Sequence, residues 1–390
     1  MPIAKTGLWI ETIPVKKLFT FFCEFAANAQ GQRLSPISKY RAISQSQNPC
    51  ADNNDVGLLV AYYDGLCVGY QGVLPGWLRT AKGLAKVYWG TGSYVLPEFR
   101  KRLVAVHLIR KLISLRKDLI VTYFNKSLAD LLIGMHFQEL PPLEYLTVRL
   151  DRLDCVTHQF RRLYGSEKRW PLLRRTADIL ARVSRRACYP PLRAAYCRSW
   201  AQRSERALKE IDWRQDPAGE LTVDDRSIPD TTPGFGRDAE AINWMMTFPW
   251  IQENGPATNP PYFFSESYDL FRYMTLYLMD KDATQRGYMV LSRAIEKGER
   301  RLKVLDFRCG AEDYRSLFWL VSKFAAEFQA DEIELPREFE QYAAGLPFGS
   351  VIMRKERRRY LCYPYAKDSP LSTALDTLTL RLTDGDSPFT

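Results

Sequence analysis

The sequence predicts an α/β chain of two mixed-sheet domains in tandem, joined by a basic helical segment. Three observations carry that expectation. Short apolar runs of β type give way to helical patterns over residues 57 to 150. A similar order returns loosely between residues 270 and 363. Between them lie an arginine-rich stretch, Arg149 to Lys209, and a connection, Asp212 to Arg237, rich in the Pro, Gly, Asp and Thr of exposed turns. A chain of 390 residues divides naturally into two domains. The expected boundaries are 1 to 150 and 237 to 367 for the domains, 151 to 236 for the basic segment and linker, and 368 to 390 for a flexible tail.

In the first half, Gly57 to Tyr70 reads as two strands around Asp64-Gly65, a pair that readily takes positive φ and so marks a hairpin. Ala85 to Val95 is another β-type run, followed by Pro97 and a helical pattern from about Lys101 to Arg116. Leu119 to Phe124 reads as a buried strand, Ser127 to Met135 as a short helix, and Leu143 to Leu150 as an alternating strand. In the second half, strands are expected at 270 to 279, 286 to 294, 303 to 308 and 332 to 335, with helices at 314 to 328 and 337 to 344. A last strand falls at 350 to 353 or 359 to 363.

Hydrophobic residues make up 46% of the chain, which excludes the low-hydrophobicity signature of disorder. No stretch reaches the roughly 18 to 20 apolar residues of a membrane span, and Met1 to Ala27 lacks the pattern of a signal peptide. A cytoplasmic location is therefore expected. Eight cysteines are scattered without a C-x-x-C pair, and only three histidines accompany them, so no metal site is expected and the thiols are read as reduced.

The net charge of +10 is not spread evenly. Arg149 to Lys209 carries 16 Lys and Arg against five acids, so this one segment accounts for the whole excess. Its arginines alternate with Trp170, Leu172, Leu173, Ile179, Leu180, Tyr196 and Trp200 at helical spacing, broken by Pro190 and Pro191. Two basic amphipathic helices follow from that pattern. They suit a solvated linker or a peripheral attachment to an anionic membrane surface at its inner face. Nucleic acid is not the expected partner, because no nucleic-acid motif accompanies the charge.

The chemistry is concentrated in Tyr94-Val95-Leu96-Pro97-Glu98-Phe99-Arg100-Lys101-Arg102-Leu103-Val104-Ala105, where a strand runs through a proline turn into a helix start. Such a junction offers free backbone N–H groups, a positive dipole end and formal cations to a pyrophosphate. Here the sequence resembles the GNAT superfamily, whose signature runs V-x-P-E-[YF]-R after a strand; Val95, Pro97, Glu98, Phe99 and Arg100 match it. Leu103 stands where the family has its first glycine, Ala105 agrees with its last small position, and Gly134 to Phe137 stand where a Gly-Phe pair is usual. Leu132 occupies the place of the tyrosine that often protonates the leaving thiolate.

The resemblance implies acetyl-CoA or a longer acyl-CoA as co-substrate, an amine acceptor and no metal. It places the cofactor on Ser93, Tyr94, Val95, Arg100, Lys101, Arg102, Leu103, Val104, Ala105 and Asn125. Candidates for the base that deprotonates the amine are Glu98, Tyr123 and His136. The tandem layout is similar to FemABX-type acyltransferases. Asn243 to Pro249 resembles a W-R-x3-P element of exopolysaccharide-associated GNAT-like domains, with Met245 in place of its arginine. Leu305 to Gly310, the corresponding junction of the second half, has no such signature and is not expected to hold CoA. The implied activity is acyl transfer to an amino acid, amino sugar or cell-envelope precursor. The alternative is a catalytically inactive adaptor that docks on anionic membrane through its basic helices.

Overall fold

In the computed structural model, residues 7–80, 83–122, 124–150, 189–216, 220–222, 234–235, 238–346, 349–382, 384–386 and 389 are described. The strands, in chain order, are β1 (Leu8–Pro14), β2 (Val56–Tyr63), β3 (Leu66–Thr80), β4 (Gly83–Val95), β5 (Leu119–Thr122), β6 (Gln138–Glu139), β7 (Leu143–Arg149), β8 (Asp212–Asp216) and β9 (Gly234–Phe235). They continue as β10 (Gln252–Glu253), β11 (Ser267–Tyr268), β12 (Leu270–Met279), β13 (Gln285–Glu296), β14 (Glu299–Cys309), β15 (Glu332–Pro336), β16 (Met353–Arg358) and β17 (Tyr360–Tyr363). The first four helices are α1 (Leu18–Ala27), α2 (Lys39–Ser46), α3 (Val104–Ile113) and α4 (Lys126–Gly134).

Two large mixed sheets result, as the expected fold class requires. The first runs β1-β2-β3-β4-β5-β17-β6, with β9 on β3; the second runs β16-β7-β15-β14-β13-β12-β8. In each, four antiparallel neighbours lead to one parallel pair, β4 with β5 and β14 with β15. The Asp64-Gly65 hairpin forms, with φ of 50° and 82° at its two turn residues. Of the two late strand positions, 359 to 363 is the strand β17, whereas 350 to 353 falls on a helix, Gly349–Ile352, that ends where the further strand β16 begins at Met353; β16 and β17 lie in different sheets.

Sequence order does not keep the sheets apart. β7, which precedes the basic segment, pairs with β15 and β16 of the second sheet. In return β17, near the chain's end, inserts between β5 and β6 of the first. The alternation of β7 drives its Leu146, Val148 and Leu150 into the core of the second sheet. In β17, Leu361 packs under α3 and α4, while Tyr360 and Cys362 face the other layer. Each half thus completes its partner's sheet.

The first sheet is covered on one face by α3 and α4, through Val104, Leu108, Leu112, Ala129 and Leu132. The other face is covered by α1 and α2 and by later chain. Leu132 is buried here, so the position that the family gives to a tyrosine is a core leucine. His107 lies on the exposed side of α3. The helix Tyr314–Phe328 packs on the second sheet together with the helix Tyr189–Leu208.

The second helix is the described part of the basic stretch, since 151–188 fall outside the described residues. Pro190 and Pro191 lie in its first turn, where a missing N–H costs little. Its anchors Tyr196 and Trp200 are buried in the core, and Arg193 pairs with Asp331 at 2.5 Å. Those two aromatics are therefore spoken for and do not face a membrane. Among the described residues, no helix is long and apolar enough to cross one.

Residues 368 to 390, read from composition as a loose tail, are packed in their described part. They carry the helix Pro370–Ala374 and bury Leu371, Leu378, Leu382 and Phe389. Phe389 stacks on Trp250 at 4.3 Å between centroids and meets Trp244 edge-on. A few apolar residues among many polar ones suffice when each finds a prepared aromatic slot.

Two outcomes test this architecture. A fragment ending at residue 150 lacks the strand between β5 and β6, and is expected to show no cooperative urea transition; a cooperative one would contradict the exchange. Phe389→Ala is expected to cost about 3 to 5 kcal/mol of unfolding free energy, measured on the whole chain in urea.

Candidate active site

The parallel pairing of β4 with β5 covers only Tyr88 to Gly90 against Leu119 to Val121. Beyond Gly90, β4 stays paired with β3 as far as Val95 opposite Gly69, while β5 turns away after Thr122. The two strands part like the arms of a V. Between Gly72 opposite Thr91 and Gln71 opposite Ser93 the register slips by one residue, and the extra residue is Gly92, at φ +50°. A bulge of this kind bends the strand and re-aims the edge that follows.

Buried side chains hold the bulge in place. Gln71 donates to the carbonyls of Gly72 and Thr91, at 2.8 and 3.1 Å. Arg41, on α2, donates to the Thr91 hydroxyl and, at 2.8 Å, to the Tyr262 hydroxyl, and lies 4.1 Å over the Trp250 ring. A Cβ on Gly92 would come within 2.3 Å of Arg41 Nη1, and one on Gly72 equally close to Nη2. Glycine is therefore needed at 72 and 92 because a guanidinium occupies the space.

After Val95 the chain makes a 3-10 turn, Pro97–Arg102, and the helix α3 begins only at Val104. The hinge between them is Leu103, in the left-handed region at φ 58°, ψ 22°, with its side chain 59% exposed. The family's glycine position thus keeps the glycine conformation although it holds leucine, at a cost of about 1 kcal/mol. The leucine side chain points outward, so the backbone approach to the helix start is not filled by it. The first intrahelical bond is His107 N–H to the Leu103 carbonyl, 3.1 Å. The amides of Val104, Ala105 and Val106, in the first turn, have no partner within the helix.

The cations lie beside this opening. Arg100 Nε donates to the Val95 carbonyl at 3.2 Å, and Arg102 rests 4.3 Å over the Tyr63 ring; Arg100, Lys101 and Arg102 are all exposed. Ser93 is exposed, Tyr94 stacks on Phe263 at 3.8 Å, and Val95 is buried. Ser93 to Val95 and Arg100 to Ala105 thus form one continuous strand edge and helix entry. Asn125, at the end of the other arm, caps α4 by accepting from Leu128 N–H at 2.9 Å.

The candidate bases are not gathered in the same way. Glu98 is exposed in the 3-10 turn and ion-paired with Arg33. Its carboxyl is held below the usual range by a hydrogen bond from its own backbone amide and by Arg33. His136 follows α4 in the left-handed conformation, φ 69°, where a helix end favours glycine. It precedes β6, whose Gln138 lies level with Ile120 through Cys362. His136 therefore lies beside β6, the outermost strand, with β17 between it and β5, and level with the start of β5 and not with the end where the strands part. Tyr123 lies outside the described residues. Arg41, Gln71 and Tyr262, which shape the bulge, carried no sequence signal, because nothing local marks a residue that packs on a strand 50 or 170 positions away.

The second sheet repeats the geometry with other chemistry. β14 pairs with β15 only over Arg301 to Lys303, and its register slips between Val290 and Leu291, opposite Asp306 and Val304. Beyond the parting lies a cleft of about 680 Å³, lined by Asp306, Arg308, Tyr314, Arg337, Glu338 and Arg381 among others. The helix there opens on Glu312 and Asp313. Asp313 pairs with Arg286 at 2.7 Å, and burial pushes its carboxyl above the usual range. Two carboxylates where a phosphate would sit oppose anion binding. Arg100, Lys101 and Arg102 favour it at the first sheet.

Leu103→Gly is expected to raise unfolding free energy by roughly 0.5 to 1 kcal/mol, the relief of left-handed strain exceeding glycine's larger loss of freedom. Leu103→Val, β-branched at positive φ, should lower it. Urea midpoints of both variants check the pair, and an unchanged midpoint in both would show no strain at this hinge.

No protein-family model and no curated protein sequence matches this chain. Several solved structures are similar to this chain, each at about a tenth identity. One is a tandem GNAT protein from the clavulanic acid biosynthesis pathway, 11% identical, covering 93% of this chain and 100% of its own, with a TM-score of 0.47. Another is N-myristoyltransferase of Saccharomyces cerevisiae, solved with bound myristoyl-CoA and inhibitors: 9% identity, 93% and 81% coverage, TM-score 0.47. A GCN5-related N-acetyltransferase from Anabaena variabilis is 10% identical, with a TM-score of 0.42; the match spans 80% of this chain and 63% of that one.

Proposed function

We propose that the chain transfers an acyl group from acyl-CoA to an amine of an amino acid, amino sugar or cell-envelope precursor, with the first sheet holding the CoA. One observation carries this reading. The ladder of β4 to β5 ends at Gly90, leaving the edge of Ser93 to Val95 beside a helix entry that has free amides and three cations. A pantetheine arm carries amides that can pair along such an edge, as an added strand does. A pyrophosphate fits the helix start at Val104 to Val106, with Lys101 and Arg102 as counter-charges.

Acyl transfer then requires only placement. The thioester lies at the root of the V, near Gly90 to Gly92, where the arms shut out water on one side and admit a nucleophile on the other. With leucine at 132, the departing thiolate receives no proton from that position. Solvent or the acceptor supplies it, and CoA's thiolate is a good enough leaving group to go without one.

Titration calorimetry with acetyl-CoA and with longer acyl-CoAs is expected to give one site per chain. The double variant Lys101→Ala/Arg102→Ala should weaken it by more than about tenfold, since each cation removed is one charge-assisted contact. Absence of heat for every acyl-CoA would overturn the reading. Equal affinity in the double variant would move the pyrophosphate away from this helix.

A further inference from the structure

The described end of the chain returns to the root of the V. Gly385, at φ +88°, lies where a Cβ would be 3.3 Å from Trp89 Cε3 and 3.5 Å from Thr122 Cγ2. Trp89 precedes the last paired residue of β4, and Thr122 follows the last paired residue of β5. The chain therefore crosses the sheet where the strands part, on the face opposite α3 and α4. That is the side from which an acceptor can reach a thioester held from the helix side.

Its neighbour Asp386 lies within electrostatic reach of Arg41, Arg358, Lys303 and Tyr262. Arg41 and Tyr262 are the two groups in contact with the bulge: a Cβ on Gly92 would lie 2.3 Å from one and 3.3 Å from the other. The placement is fixed from several sides. Arg358 Nη1 donates to the Leu382 carbonyl at 2.7 Å, Arg381 N–H donates to buried Asp384 at 2.6 Å, and Phe389 is locked on Trp250. Asp386 retains some solvent access, although protein surrounds it.

Resting on the acyl-transfer reading above, we propose that Asp386 is the catalytic base, taking the proton from the acceptor's ammonium at the root of the V. The ammonium nitrogen gives one proton to the Asp386 carboxylate, and its freed lone pair forms a bond to the thioester carbonyl carbon. The C–S bond then breaks with its electron pair on sulfur, and the new amide nitrogen loses its second proton. The thiolate takes one proton to become free CoA, and Asp386 returns the other to solvent. Burial pushes the Asp386 carboxyl up, against the pull of Arg41, Arg358 and Lys303, which improves it as a base at neutral pH. Glu98, the base expected from the motif, is shifted the other way.

The experiment compares two small acceptors at saturating acetyl-CoA, following release of free CoA thiol at pH 7. Ethanolamine is an ammonium at that pH and needs a base; hydroxylamine is already unprotonated and does not. Asp386→Asn is expected to lose 100-fold or more with ethanolamine, the usual worth of a general base, and to stay within about threefold of wild type with hydroxylamine. Its calorimetric affinity for acetyl-CoA should be unchanged, and Asp386→Glu should recover part of the ethanolamine rate. Raising the pH toward the amine's own pKa should narrow the gap. Equal rates for wild type and Asp386→Asn with ethanolamine, or equal losses with both acceptors, would overturn the role of Asp386 and leave the transfer reading standing. A wild-type chain that binds no acetyl-CoA would remove both.

Discussion

Everything proposed for this protein depends on the β4–β5 ladder stopping at Gly90. A parallel ladder that continued would satisfy the edge of Ser93 to Val95 with backbone bonds and leave no place for a ligand's amides. It stops because Gly92 adds one residue to β4 opposite Gln71 and Gly72, which turns the strand away from its neighbour. The bulge is held by Gln71 and by the guanidinium of Arg41, which is buried against Trp250 and bonded to Tyr262. A buried charge of that kind must be well partnered to be tolerated. Here its partners are the hydroxyls of Thr91 and Tyr262 and the Trp250 ring.

The two halves share this device and differ in what surrounds it. Both sheets have one parallel pair that parts after three residues and a slipped register just beyond the last paired residue. At the first, cations precede the helix; at the second, Glu312 and Asp313 do. Electrostatics at the helix entry thus separates two sites that the backbone makes alike. The strand exchange ties them together, since β7 and β17 each complete the opposite sheet. The same exchange carries the last residues of the chain back across the first sheet, to the root of its V.

Local signals made part of this legible in the sequence. Asp64-Gly65 marks its hairpin because few other pairs take positive φ twice, and Val95 to Arg100 marks the strand-to-helix junction because proline breaks the strand there. The helix start was displaced: the pattern from Lys101 begins in fact at Val104, after a 3-10 turn and a left-handed Leu103 that hydrophobic periodicity does not register. Alternation showed β7 to be a strand and said nothing of its partner, since burial on one face is the same in either sheet. Arg41, Tyr262 and Asp386 were invisible for a further reason. Each acts through contacts made at long sequence separation, and the polar composition around Asp386 read as loose chain. His136, by contrast, was legible as a titratable group, and register carries it to the outermost strand, β6, away from the parting of β4 and β5.

Hydrogen–deuterium exchange on the whole chain, with and without saturating acetyl-CoA, tests the central claim most directly. The account predicts protection of the amides along residues 91–95 and 104–107 and none along the matching edge of the second sheet, residues 305–309. Protection confined to 305–309, or absent from both edges while the ligand is bound, would contradict it.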